Sequence, residues 1–211
     1  MGILQLNKGA WNKIGAKIAS PVIKNKGYLK MFNLFCKKLP KNGIVLDLGC
    51  GPGIPITKEL IKRRFLVTGI DLSDKMIKLA RKNAPNAKYQ CISMTSIKFN
   101  DKFDGIISSY SMLCLNPKDF KRTASKISTA LKKGGYFLLV LNERIKKHKE
   151  KESYVKIMNQ KMYSRPYTEK EIRRIFKNYN MKTIKVDREI IFSKNYGKEH
   201  SLLMLLKKEG P

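Results

Sequence analysis

The stretch that decides the fold is I-V-L-D-L-G-C-G-P-G-I-P, from Ile44 to Pro55. A short apolar run leads to Asp47, and glycines then occupy positions 49, 51 and 53 in front of a helical pattern. A buried strand, a glycine turn and a helix N-terminus in this order let backbone atoms approach a ligand closely. The stretch therefore predicts a ligand-binding turn at the start of an α/β domain.

Strand and helix patterns alternate after this turn. Alternation with helices of this length indicates a parallel sheet covered by helices on both faces. The carboxyl ends of such strands lie along one edge, where open sheets bind their ligands, and this places Asp47, Asp71, Ser93 and Ser109 together. The predicted strands are 44–48, 66–70, 88–92, 103–108 and 136–141, and the predicted helices are 54–64, 74–83 and 117–131.

The C-terminal third follows a different pattern. Thr168 to Glu171 has the sequence of a capping box, which predicts a helix to about Tyr179. Two strand patterns follow, at 181–192 and 201–207, and no helix fits between them, so we expect an antiparallel pair. Residues 144–164 are polar and basic, and we interpret them as a mobile insertion.

Residues 1–43 contain nine lysines and no acidic residue. Two amphipathic stretches, on either side of Pro21, are typical of helices. One interpretation is a pair of helices packed on the edge of the domain, with the lysines in water. The other is a basic helical lid, residues 1–43, that covers the ligand and docks the substrate.

The glycine turn does not have the spacing of the common nucleotide motifs. After Gly49-Cys50-Gly51 the dinucleotide fingerprint fails, because Ile54 stands where its last glycine is needed, and no G-K-[ST] follows. Asp47 would repel a phosphate but suits an ammonium group. S-adenosylmethionine has an amino acid, a sulfonium and a ribose with free hydroxyls, and Asp71 can accept hydrogen bonds from those hydroxyls. We therefore expect this cofactor.

Three motifs carry a family resemblance: Asp47-x-Gly49-x-Gly51-x-Gly53, then Gly69 to Ser73, then Leu131 to Tyr136. In this order they resemble the motifs of the class I S-adenosylmethionine-dependent methyltransferases, in the group that includes quinone, lipid and natural-product enzymes. The resemblance implies a Rossmann-like, doubly wound seven-stranded α/β sheet in the order 3-2-1-4-5-7-6, mostly parallel with an antiparallel last strand. Residues 44–211 would form the cofactor-binding methyltransferase domain.

The resemblance also implies the roles of site residues. Asp47 would serve the methionine end of the cofactor, Asp71 the ribose and Trp11 a closing position. Ser93-Met94 stands where the family often has an aspartate that faces the adenine amino group. The full set of predicted cofactor residues is Trp11, Asp47, Gly49, Cys50, Gly51, Asp71, Leu72, Met76, Ser93, Met94 and Ser109. The product would be S-adenosylhomocysteine.

The methyl acceptor is harder to predict, because methyl transfer can be accelerated by alignment alone and needs no catalytic base. No catalytic residue is assigned; the candidate bases are Tyr110, Glu143, His148, Tyr163 and Tyr167, and His200 is interpreted as structural. Ser108 to Ser111 matches neither the N-P-P-Y-like motif of base-nitrogen methyltransferases nor the cysteine of RNA cytosine-C5 enzymes. This favours a small-molecule, lipid or quinone acceptor.

The net charge points to other partners. The chain has 45 basic and 16 acidic residues, a formal charge of +29. This suggests contact with RNA or an anionic membrane surface, although it can also reflect composition alone. An RNA methyltransferase and a non-catalytic RNA-docking protein are the alternatives. The four scattered cysteines favour the cytoplasm and no metal site, and we expect no membrane-spanning segment but allow for peripheral membrane contact.

Overall fold

The computed structural model of this chain describes residues 2–15, 25–145, 153–193 and 197–210. Its helices are α1 Ile3–Ile14, α2 Lys26–Lys38, α3 Ile56–Lys62, α4 Asp74–Asn83, α5 Pro117–Ala130 and α6 Glu169–Lys177. Its strands are β1 Ile44–Leu48, β2 Leu66–Asp71, β3 Lys88–Cys91, β4 Phe103–Ser109, β5 Leu131–Asn142, β6 Tyr154–Ile157, β7 Gln160–Tyr163, β8 Met181–Ser193 and β9 Gly197–Lys208.

Seven strands form one sheet in the order β3-β2-β1-β4-β5-β9-β8. β9 is antiparallel to both of its neighbours, and the other pairs are parallel. Because β8 and β9 are the sixth and seventh strands of this sheet, the predicted order is confirmed. The α/β, Rossmann-like, doubly wound fold is confirmed with it.

Helices cover both faces of the sheet and bury two apolar clusters. Phe120 of α5 and Phe176 of α6 pack into the cluster on one face. Phe32 and Phe35 of α2, with Leu60 of α3, pack into the cluster on the other. α2 is therefore a part of the domain core, whereas α1 makes its own small cluster with the β6–β7 hairpin.

Two predicted boundaries were wrong. Pro55 caps α3 instead of lying in its first turn, because the helix begins at Ile56. α5 ends at Ala130, one residue before the predicted end, since Leu131 already pairs with Phe103 in the sheet. A Cβ at Gly135 would lie 2.9 Å from the Lys132 carbonyl oxygen and 3.1 Å from the Asp104 carbonyl oxygen, so close backbone packing requires that glycine.

The predicted mobile insertion at 144–164 was also wrong in its second half, which forms the antiparallel β6–β7 hairpin. Ile157 and Met162 of this hairpin pack against Ala10 and Ile14 of α1. The hairpin is thus held by a helix 150 residues away in sequence, a contact that local patterns do not reveal. Residues 146–152, which include the candidate base His148, lie outside the described residues.

No helix in the described part of the chain is long and apolar enough to cross a bilayer. Cys36, Cys50, Cys91 and Cys114 are all free thiols. Within the described ranges, no three His, Cys, Asp or Glu side chains converge as metal ligands would.

Candidate functional site

A cavity of about 1350 Å³ opens at the carboxyl edge of the sheet. The glycine turn after β1 forms one wall, and α1, the β6–β7 hairpin and the ends of β8 and β9 form the opposite side. The structure brings all eleven predicted cofactor residues to the lining of this one cavity. Open parallel sheets place ligands at this edge because the strand ends and following loops diverge there.

Gly49 and Gly51 are glycines for different reasons. Gly49 has φ +80°, and a Cβ on it would overlap the Ser111 side chain. Gly51 has φ +53°, and nothing lies within 4 Å of the position that its Cβ would take. Protein packing therefore requires Gly49, while Gly51 leaves an open cradle in the cavity wall.

Asp71, at the end of β2, ties the second strand to the glycine turn. One carboxylate oxygen accepts the Gly51 N–H at 3.0 Å, and the other accepts the Ser73 N–H at 2.8 Å. Ser73 in turn caps α4 by accepting the Met76 N–H. Burial raises the pKa of Asp71, and these backbone N–H donors oppose the rise.

Asp47 lies deeper, at the end of β1, where its side chain is almost fully buried. The Thr57 hydroxyl on α3 donates a 2.6 Å hydrogen bond to its carboxylate. Burial, with a smaller effect of the Asp71 charge, raises the pKa of Asp47 to about 7, against the Thr57 hydrogen bond. Asp47 therefore changes charge near neutral pH.

The predicted adenine side is built by residues after β2 and β3. Leu72 and Met76 supply apolar surface. The Ser93 hydroxyl accepts the Thr95 N–H at 3.2 Å and shares a 2.8 Å hydrogen bond with the Thr95 hydroxyl. Ser93 is therefore held by its own turn, and Met94 continues the wall beside it.

The donor set near the glycine turn fits S-adenosylmethionine. This wall offers two carboxylates, Asp47 and Asp71, together with the open Gly51 cradle. Among the described residues that line the cavity, the only lysines are Lys156 and Lys198, and both belong to the opposite side. A buried pair of carboxylates without a local cation suits a ligand with positive charge and hydroxyl groups and disfavours a phosphate.

Polar groups also line the opposite side. The Asn142 amide donates to Glu199 at 2.9 Å, and burial raises the pKa of Glu199. Arg188 holds the Glu143 carboxylate with two hydrogen bonds of 2.7 and 2.8 Å. His200, at the same edge, completes a group of ionisable side chains opposite the glycine turn.

Comparison with known proteins identifies the domain. The family described as "Methyltransferase domain" matches residues 45–135. A malonyl-[acyl-carrier protein] O-methyltransferase of Acetivibrio thermocellus is 34% identical over 95 residues, 43% of this chain and 32% of the relative. A ubiquinone biosynthesis O-methyltransferase of Idiomarina loihiensis is 34% identical over 109 residues, 48% of this chain and 44% of the relative. Residues 45–135 are therefore similar to methyltransferase domains.

Solved structures of methyltransferases share the fold over most of the chain. A 1,6-didemethyltoxoflavin-N1-methyltransferase of Burkholderia thailandensis superposes with a TM-score of 0.76 at 16% identity, over 98% of this chain and 88% of its own. A methyltransferase of Methanosarcina mazei superposes with a TM-score of 0.74 at 20% identity, over 84% of this chain and 98% of its own. The curated relatives match over less than half of their own length, so only the shared domain is compared there.

The candidate bases separate into two groups. Tyr110 and Glu143 line the cavity, and the Tyr110 hydroxyl shares a 2.6 Å hydrogen bond with Ser201. Tyr167 is instead a core residue, because its ring packs 4.2 Å from that of Phe120 and its hydroxyl donates to the Leu115 carbonyl. Tyr163 likewise packs outside the cavity wall, against the ring of Tyr154.

Sequence reasoning missed Glu199 and interpreted His200 as structural only. Both line the cavity, at the start of β9. A signal was available, because an antiparallel last strand begins at the edge where the parallel strands end. The register shows this directly, since Ser201 pairs with Asn142, the last residue of β5.

Proposed function

We propose that this domain binds S-adenosylmethionine and transfers its methyl group to a small-molecule acceptor in the same cavity, leaving S-adenosylhomocysteine. The observation that carries the proposal is the pairing of Asp47 and Asp71 around the open Gly51 cradle. The similarity of residues 45–135 to the methyltransferase-domain family supports it. Bound cofactor would supply an electrophilic methyl group on a sulfonium that leaves as a neutral thioether.

Different residues of the chain would bind different parts of the cofactor. Asp71 is already fixed by the Gly51 and Ser73 amides, and its remaining lone pairs can accept hydrogen bonds from the ribose hydroxyls. Asp47 offers a negative charge to the ammonium group, and Thr57 holds that carboxylate in place. Leu72, Met76 and Met94 offer apolar surface to the adenine.

The cavity is large enough for a second molecule. Its volume of about 1350 Å³ exceeds the range of roughly 300–1,000 Å³ that is usual for one ligand. The side opposite the glycine turn also offers apolar surface, with Tyr154, Val155, Ile157, Met162 and Phe192 in its lining. The acceptor we propose is a mostly apolar small molecule, lipid or quinone, and the names of the ubiquinone-biosynthesis relatives agree with this class.

Glu199 and His200 are the groups that we propose for removing a proton from the acceptor. Their side chains lie in the cavity lining, and a carboxylate or imidazole can accept the proton that an attacking hydroxyl or amine loses. The pKa of Glu199 is raised by burial, which strengthens it as a base. Glu143 is the weaker choice because Arg188 occupies both of its carboxylate oxygens.

We also propose a narrower lid than residues 1–43. Leu4, Asn7 and Trp11 of α1 line the cavity, which supports α1 as the covering element. α2 packs against the sheet through fully buried side chains, which supports its assignment to the core of the methyltransferase domain. The basic character of both helices plays no part in this assignment.

Calorimetric titration with S-adenosylmethionine and S-adenosylhomocysteine tests cofactor binding. Wild type should bind both at about micromolar concentrations. Asp71→Asn should lose at least about tenfold in affinity, since one ribose acceptor becomes an amide. Asp104→Asn is the matched control: Asp104 also accepts a backbone N–H, from Ile44 at 2.7 Å, but lies outside the cavity wall. Absence of heat with the wild-type protein would overturn the proposal.

Transfer of a radiolabelled methyl group into a fractionated cell extract tests the acceptor class. Label should enter the small-molecule or organic-soluble fraction. Glu199→Gln should lower the rate of methyl transfer more than it lowers the affinity for S-adenosylmethionine. Label that is released by ribonuclease would instead identify RNA as the acceptor and contradict the small-molecule proposal.

A further inference from the structure

The exposed apolar side chains of the molecule gather at one place. Among the described residues, six large hydrophobic side chains are exposed, and four of them lie on β6 or near the end of β8. Phe192 is 77% exposed, Ile190 51%, Tyr154 50% and Val155 37%. Tyr154, Val155 and Phe192 also belong to the cavity lining, so this apolar rim is continuous with the proposed acceptor site.

Three exposed lysines stand among these side chains. Lys156 follows Val155 on β6, and Lys198 pairs with Phe192 across β8 and β9. The Lys161 ammonium lies 5.0 Å from the centre of the Tyr154 ring. We define the mouth surface by its apolar and basic members: Tyr154, Val155, Lys156, Lys161, Ile190, Phe192 and Lys198.

We propose that the mouth surface docks on an anionic lipid bilayer. Apolar side chains surrounded by lysines are typical of proteins that bind at a membrane interface. The apolar groups enter the boundary between headgroups and acyl chains, and each lysine contributes about 1 kcal/mol of attraction to anionic lipid. Val155 and Ile190 offer nothing to a nucleic-acid phosphate backbone, and lysine lacks the bidentate fork of arginine. The charge and the apolar tips together therefore favour a membrane over RNA.

Docking in this orientation turns the cavity mouth toward the lipid. An apolar acceptor could then pass from the bilayer to the far side of the cavity without crossing water. The proposal goes beyond methyl transfer, and bilayer binding is measurable without cofactor or acceptor. Failure of docking would leave the methyl-transfer proposal standing, and the reverse also holds.

Vesicle co-sedimentation of the full chain tests the docking. The vesicles are phosphatidylcholine alone or phosphatidylcholine mixed with phosphatidylglycerol, and the mixture should bind the protein more tightly. Neutralising Lys156, Lys161 and Lys198 together to Gln should weaken binding about a hundredfold, because each lysine contributes about fivefold. The matched control neutralises Lys41, Lys88 and Lys133, which are exposed at the opposite edge of the sheet, and should change binding less than about threefold.

The apolar tips are tested separately. Phe192→Ser combined with Tyr154→Ser should weaken binding at least about tenfold, while Phe192→Leu, which keeps an apolar tip, should retain most of it. Leu66→Ser, at an exposed apolar residue away from the mouth, is the control and should leave binding unchanged. Equal losses in the mouth and control variants, or tighter binding to RNA than to anionic vesicles, would overturn the proposal.

Discussion

The side chain of Asn7 on α1 holds the backbone of Tyr163 on β7. Its Oδ1 accepts the Tyr163 N–H at 2.8 Å, and its Nδ2 donates to the Tyr163 carbonyl at 3.0 Å. The same Nδ2 also donates to the Cys114 carbonyl at 3.2 Å. One buried amide thus fastens the helix above the cavity to the hairpin and to the segment that follows β4.

Replacing this amide should loosen α1. In Asn7→Ala the Tyr163 N–H loses its partner in a buried position, which we expect to cost about 1–3 kcal/mol in the free energy of unfolding. If α1 is the lid, S-adenosylmethionine should also dissociate faster, as stopped-flow displacement would show. Lys13→Ala changes an exposed residue of the same helix and should alter neither quantity. An unchanged dissociation rate in Asn7→Ala would remove the lid role of α1.

The glycine turn gives a prediction with two separable outcomes. Gly49→Ala should destabilise the fold by about 3 kcal/mol or more, because its methyl group would overlap Ser111 at a positive φ. Gly51→Ala should cost only about 1 kcal/mol, since its methyl group meets open space. That methyl group occupies the cradle, however, so cofactor affinity should fall at least about tenfold. Chemical denaturation and calorimetry measure the two effects, and equal destabilisation would contradict the assignment.

The residues at the carboxyl edge of the sheet were predicted correctly because their position depends on the order of strands and helices alone. Once strands and helices alternate, the right-handed crossover puts Asp47 and Asp71 side by side, whatever the packing details. Both therefore line the cavity, as does every other predicted cofactor residue. The hydrogen bond from the Thr57 hydroxyl holds the buried Asp47 carboxylate in place. Nothing in the sequence predicts that hydrogen bond.

The opposite side of the cavity was not predictable in the same way. The β6–β7 hairpin has one short apolar face, and that face finds its partner in α1, far away in sequence. Tyr167 was a candidate base, yet its ring fills the core beneath α5. Such contacts depend on long-range packing, which periodicity within a window of residues does not contain.

Tyr167→Phe separates a core tyrosine from a catalytic one. Loss of the hydroxyl leaves the Leu115 carbonyl without its 2.8 Å donor, which should cost about 1–2 kcal/mol of stability. Cofactor affinity and the rate of methyl transfer should remain at the wild-type level below the unfolding temperature. Thermal unfolding and the labelled-methyl assay measure both quantities. A fall in rate without a fall in stability would place Tyr167 in the chemistry after all.

Asp47 should make cofactor binding depend on pH. Its pKa is about 7 in the free protein because it is buried, so the carboxylate gains a proton as the pH falls through neutrality. Only the ionised form attracts the ammonium group, and affinity should therefore fall by up to about tenfold per pH unit below about pH 7. Calorimetry between about pH 5 and pH 8 measures this slope. The Asp104→Asn variant should show the same dependence of affinity on pH as the wild-type protein.

The stability of the free protein should fall as the pH rises, whereas cofactor affinity should increase. The raised pKa of Asp47 can therefore be tested by two independent measurements. A folded-state pKa above the ordinary 3.8 means that the folded protein holds the proton more tightly, so the free energy of unfolding should decline from about pH 4 to about pH 7. Asp47→Asn should flatten the affinity profile and reduce the decline in stability, of which a part remains because the pKa values of Asp71 and Glu199 are also raised. Thr57→Val removes the donor that favours the ionised form and should move both profiles to higher pH. If the Asp47→Asn profiles keep their slopes, another group carries the proton.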